Sequence, residues 1–163
     1  MKPKLFLTVG LPGSGKTTKA KELEDKFDAI RFTPDEYIIE IFGTDLNIEQ
    51  RDSLREPVEH ALWTLAENAL RLARNVIVDF GLWTVEERNS FRESGESYGA
   101  EVFFVQCYEP IEILWERISS RPESQSGTLE ISRQDLQTWW DLFQPLTESE
   151  LKYVYDNTLF IEK

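Results

Sequence analysis

A glycine-rich turn between an apolar run and a helical stretch governs what this chain can fold into. Residues 5–9 are rich in strand formers, and Gly10, Gly15, Lys16 and Thr17 then match the spacing G-x-x-x-x-G-K-[ST]. Glycines at such spacing let successive backbone N–H groups curl into a concave nest for phosphate oxygens, which a Cβ would obstruct. The candidate phosphate-binding residues are Gly10, Pro12, Gly13, Ser14, Gly15, Lys16, Thr17 and Thr18. Lys16 supplies a point charge for terminal phosphates and Thr17 a hydroxyl for Mg²⁺. The helix that follows turns its positive end to the same phosphates. An ordinary glycine turn is the competing reading. The flanking strand and helix favour a nucleotide site, with ATP and Mg²⁺ as its ligands.

The rest of the pattern alternates. A helix is expected over residues 16–27, a strand over 29–32, and a helix from Thr33-Pro34 to about Gly43, with Thr33 and Glu36 forming a capping box. Residues 44–52 are polar and read as a loop. Residues 53–74 read as the longest helix, with Leu54, Val58, Leu62, Leu65, Ala69 and Leu72 as its apolar stripe. Pro57 must lie in its first turn or kink it. Strands follow at 75–80 and 101–108, with a helix between them opened by Thr84 and Glu87. Pro110 starts a helix, residues 121–128 are loop-like, and Ser132 with Asp135 caps a last helix. The segment 153–161 alternates aromatic and polar residues and suits an edge strand. Strands alternating with helices mean an α/β fold, a parallel sheet covered on both faces. Ligands in such sheets bind beyond the carboxyl ends of the strands.

Composition narrows the function classes. The net charge is −12, which disfavours DNA and RNA, since non-specific nucleic-acid binding draws on Lys and Arg. It predicts a small-molecule acceptor, neutral or cationic, over an oligonucleotide. A single cysteine, Cys107, excludes an internal disulfide and reads as core filler in a reducing compartment. No run of about 18 apolar residues is present, so no membrane span is expected. Residues 1–7 loosely resemble a signal peptide, but their apolar stretch runs straight into the glycine turn. The expectation is a cytoplasmic protein.

Candidate chemistry sits at strand ends. Asp79 closes an apolar run and suits Mg²⁺, directly or through water, opposite Thr17; the alternative is that it only orders the turn. Asp35 is either a first-turn acid favoured by the helix dipole or a carboxylate that accepts the proton of an attacking hydroxyl. Arg117 and Arg121, four apart on one helical face, are either solvated or stabilise transferring charge over the nucleotide. Trp83 and Arg88 flank the turn after Asp79 as candidates for contacting the acceptor, with core and surface positions as the alternatives. His60, the lone histidine, reads as structural or exposed.

With these residues in place, the chain resembles the small P-loop kinases that include chloramphenicol phosphotransferase, zeta toxins, gluconate kinase and the kinase half of polynucleotide kinase. It looks closest to a bacterial branch of ATP-binding, AAA-type proteins that share the stretches 33–36 and 79–83. The resemblance covers nearly the whole chain. It implies a P-loop NTPase three-layer sandwich with a five-stranded parallel sheet in order 2-3-1-4-5. It also implies an arginine-bearing lid at about residues 117–132, within a single domain. By position, Lys16 and Thr17 match the phosphate loop, Asp35 the acidic base after the second strand, and Arg117 and Arg121 the lid. The expected activity is transfer of the γ-phosphate of ATP to a small-molecule hydroxyl. A nucleotide-binding regulator without transfer and a nucleic-acid 5′-hydroxyl kinase are the alternatives.

Overall fold

The computed structural model describes residues 2–121 and 131–155. Strand β1 (Lys4–Val9) is the middle of the structure, and from Leu5 onward every residue of it is buried. Burial on both faces explains why its sequence is an unbroken apolar run rather than an alternation. It pairs in parallel with β3 (Val76–Val78) on one side and β4 (Glu101–Gln106) on the other. Strand β2 (Ile30–Phe32) pairs in parallel with β3, giving the order β2-β3-β1-β4. Val9 at the end of β1 stands opposite Gln106 at the end of β4, just short of the glycine turn, while β3 ends at Val78 opposite Leu7.

The pleat sends alternate side chains of β1 to opposite faces. Leu5, Leu7 and Val9 enter the larger core, and Phe6 enters the smaller one with Ala20 and Leu23 of α1 (Lys16–Phe27). The larger core also takes residues of α3 (Ile48–Arg71), α5 (Ile111–Ser119) and α6 (Arg133–Leu142). Helices thus cover both faces of the sheet, as expected for a three-layer α/β sandwich. Two further helices, α2 (Pro34–Phe42) and α4 (Val85–Ser97), and a 3₁₀ turn at Glu148–Tyr153 complete the described elements.

Most helix starts follow local chemistry. Thr84 with Glu87 and Ser132 with Asp135 form full capping boxes, and α2 ends at Gly43. Three expectations need correction. The Thr33–Glu36 box does not form: the Thr33 hydroxyl bonds Asp79 at 3.2 Å and accepts from Arg31, so it is spent on tertiary contacts. Helix α3 starts at Ile48, inside the expected loop, because Asn47 and Gln50 make a capping box. Pro57 accordingly lies inside α3. The apolar stripe of α3 is displaced as well: Leu65 and Leu72 are exposed, and Leu62, Ala66, Ala69 and Leu70 face the core.

Beside β4 the described residues add one isolated bridge to the four-stranded sheet. Val154 bridges Phe104 in parallel, and the Tyr155 N–H donates to the Phe104 carbonyl at 2.9 Å. That places residues 154–155 outside β4, in the fifth position of the expected order, while residues 156–161 of the expected strand lie outside the described residues. So does most of the expected lid, residues 122–130.

Candidate active site

The sheet delivers Gly10 to the carboxyl end of β1 in a place where only glycine fits. A Cβ there would lie 2.2 Å from the Cys107 carbonyl oxygen, and φ is +154°. The Gly10 N–H donates to the Gly81 carbonyl at 3.0 Å, and its own carbonyl accepts from Trp83 Nε1 at 3.2 Å. These bonds fasten the turn to the segment that follows β3. Within the turn, the Leu11 carbonyl accepts from the Ser14 hydroxyl at 2.7 Å and Lys16 Nζ at 2.8 Å. Gly15 precedes α1 at φ +90°, and no side chain caps the first turn of that helix. Its amide groups are left for an anion, and no acidic residue stands in that turn to compete. Burial pushes the Lys16 ammonium below its ordinary value, with Asp79 pulling the other way.

Asp79 lies just past β3 and is buried. Three threonine hydroxyls donate to it: Thr17 at 2.8 Å, Thr8 at 3.0 Å and Thr33 at 3.2 Å. They come from α1, β1 and the end of β2, so the carboxylate is fixed by the sheet itself. The Thr17–Asp79 pair at the edge of the turn fits Mg²⁺, which takes one or two protein oxygens and fills its octahedron with phosphate oxygens and water. Among the described residues no group of three or more His, Cys, Asp or Glu could hold a metal. A phosphate-bound Mg²⁺ needs no such group.

A cavity of about 680 Å³ opens beside the turn. Gly13, Lys16, Thr17 and Asp79 line it on one side; Asp35 of α2 and Arg51 and Arg55 of α3 line it too. Arg55 joins the elements around it. Its Nη1 lies 3.2 Å from Asp35 Oδ1, its Nη2 donates to the Phe80 carbonyl at 3.0 Å, and its Nε lies 2.8 Å from Glu59. Burial raises the Glu59 carboxyl above its ordinary value, against the opposite pull of Arg55. Arg51, Arg55 and Glu59 escaped the sequence reading, although their spacing of four marks one helical face.

The structure treats the remaining candidates unequally. Trp83 and Arg121 line the cavity, and Trp83 also packs 5.9 Å from the Trp139 ring. Arg117 instead reaches the turn from outside the cavity, with Nη1 donating to the Gly13 carbonyl at 3.3 Å and Nη2 paired with Glu109 at 2.7 Å. Arg88 is not at the rim. It is wholly buried, pairs with Glu150 at 2.6 Å, and donates to the Trp83, Gln144 and Pro145 carbonyls. Its role is to hold the chain after α6 against the turn after β3. His60 is exposed, and Cys107 is half-buried beside the glycine turn, its thiol pushed by burial up to about 11.

The AAA domain family matches residues 5–146. The chain belongs to this family. Solved structures share its fold. A candidate kinase from Chloroflexus aurantiacus j-10-fl is 19% identical, covers 91% of this chain and 84% of its own, and superposes with a TM-score of 0.73. A gluconokinase from Sinorhizobium meliloti 1021 is 19% identical over 88% of this chain and 77% of its own, with a TM-score of 0.56. A chain of the Pnkp1/Rnl/Hen1 RNA repair complex is 22% identical over 96% of this chain and 53% of its own, with a TM-score of 0.64. At such identities the likeness is one of fold. No curated protein sequence matches the chain. No helix among the described residues is long and apolar enough to cross a membrane.

Proposed function

We propose that the protein is an ATP-dependent phosphotransferase that moves the γ-phosphate to a hydroxyl of a small molecule. The observation that carries this reading is that Asp35 shares one cavity with Lys16, Thr17 and Asp79. In this reading the amides of residues 13–17 and the Lys16 ammonium bind the phosphates, and Thr17 and Asp79 hold Mg²⁺, which neutralises phosphate charge when bound. Asp35 orients the acceptor alcohol and takes its proton as the oxygen attacks the terminal phosphorus. The bond from that phosphorus to the bridging oxygen breaks, and ADP leaves. Arg121, and Arg117 through its hold on the Gly13 carbonyl, are assigned to the transferring charge and the loop that carries it. Trp83 forms a wall of the site.

The test is Asp35→Asn, which keeps size and much of the local hydrogen bonding but is a far poorer base. The variant is expected to fold, to bind ATP with near-parent affinity, and to lose about 10²–10⁴-fold in transfer. Transfer within a few-fold of the parent would make Asp35 a helix-start acid and Arg55 partner only.

A further inference from the structure

Arg51 breaks a rule that the rest of the molecule keeps. It is 7% exposed, on the first turns of α3, and lines the cavity. Its Nε is the single buried side-chain nitrogen or oxygen without a hydrogen-bond partner among the described residues. Among the described residues no carboxylate pairs with it, although Asp52, Glu56 and Glu59 line the same cavity. Its neighbour Arg55 is engaged by Asp35, Glu59 and the Phe80 carbonyl. Arg88, more deeply buried still, is paired with Glu150 and with backbone carbonyls.

A guanidinium carries five donors in a planar fork and cannot shed its charge. Burying one unpaired is costly, so buried arginines are found with anions or carbonyls. A position that breaks this rule at a cavity wall marks a place where the partner arrives with a ligand. The phosphate loop already has its own cation, Lys16, and its own amides. Arg51 lines the cavity from α3, the helix whose Arg55 grips Asp35.

We infer that Arg51 is the binding residue for an anionic group on the acceptor, a carboxylate or a phosphate ester, held by the guanidinium fork while the acceptor hydroxyl meets Asp35. The inference rests on the phosphotransfer reading for the fate of that hydroxyl, but not for the anion site itself. It makes the acceptor an anionic alcohol. That reverses the expectation of a neutral or cationic one, which rests on the whole chain's charge of −12 and not on the one guanidinium nitrogen left without a partner.

The experiment is calorimetric titration of the protein, saturated with Mg²⁺ and a non-hydrolysable ATP analogue, with inorganic phosphate in one arm and acetate in the other. Ionic strength is held constant with chloride. One saturable anion site is expected in the parent, and the arm that binds more tightly distinguishes phosphate from carboxylate. Arg51→Met should weaken it by about tenfold or more, as loss of charge-assisted bonds does. Arg51→Lys, which keeps the charge without the fork, should fall between. The free Arg51→Met protein should melt no lower than the parent, since no described hydrogen bond or ion pair is lost and methionine keeps much of the apolar stem; a structural arginine would behave oppositely. Anion affinity unchanged in Arg51→Met, or no saturable binding of either anion by the parent, would overturn the inference. Failure of the analogue to bind would count against phosphotransfer alone, because the effect of Arg51→Met on anion affinity is read with or without it.

Discussion

Arg88 and Arg51 are both buried arginines, and their surroundings assign them opposite duties. Arg88 spends its donors on Glu150 and on the carbonyls that join the end of α6 to the turn after β3. Removing one partner of a buried pair leaves the other charge uncompensated, a loss of about 3–5 kcal/mol. Arg88→Ala should lose stability of that order in urea denaturation at neutral pH. Burial alone would raise the Glu150 carboxyl, but hydrogen bonds from Arg88 and Thr147 outweigh it and hold it below its ordinary value of 4.5. Its contribution is therefore present above pH 4.5 and is lost as pH falls through the lower folded value. The gap between parent and Arg88→Ala should shrink below that pH; a gap that stays constant into acid would contradict the pairing. The sequence marks Arg88 as a candidate acceptor contact, with core and surface as alternatives, and does not mark Arg51. The buried pairing was not legible, since Glu150 lies far along the chain from Arg88.

At the scale of elements, the start of α3 carries the weight, because its first turns hold Arg51 and Arg55 over the cavity. Asn47→Ala removes the cap and should cost about 1 kcal/mol. Amides of residues 48–52 should exchange faster, and acceptor binding should weaken more than nucleotide binding. Unchanged exchange there would show that tertiary packing alone holds the turn. The sequence pointed to this helix but not to its start. Residues 47–52 show no apolar periodicity, since the buried member of the turn is an arginine. The N47/Q50 capping box was the available signal. The opposite holds for α1, α4 and the end of α2, where glycine and capping chemistry act within a few residues and the boundaries follow from them. Thr33 shows the limit of local reasoning: its cap pattern is intact, yet Asp79 and Arg31, brought by the sheet, take the hydroxyl. In α3 a stripe through Leu62, Leu65, Ala69 and Leu72 passes over Ala66 and Leu70, which pack in the larger core.

The whole molecule explains why one motif was enough to place so much. A central strand buried on both faces, parallel neighbours in register and a glycine turn at its carboxyl end leave one rim at which chemistry can assemble. Asp79 and the glycine turn, legible as sequence, meet there because β1 and β3 are neighbours. On the proposed acceptor side Asp35 and Trp83 were legible, whereas Arg51, Arg55 and Glu59 were not, since they depend on which face of α3 turns inward. Net charge is a coarse guide for a related reason: it says nothing of which charges line the cavity, where Lys16 and three arginines stand among six acids. The most direct test of the account is label transfer from terminally labelled ATP, with Mg²⁺, to a pool of alcohols, half carrying a carboxylate or phosphate and half neutral. The account predicts label on an alcohol of the anionic half, at a rate that depends on its concentration. Label found only as inorganic phosphate, or retained on ATP, at a rate that no alcohol changes would contradict it.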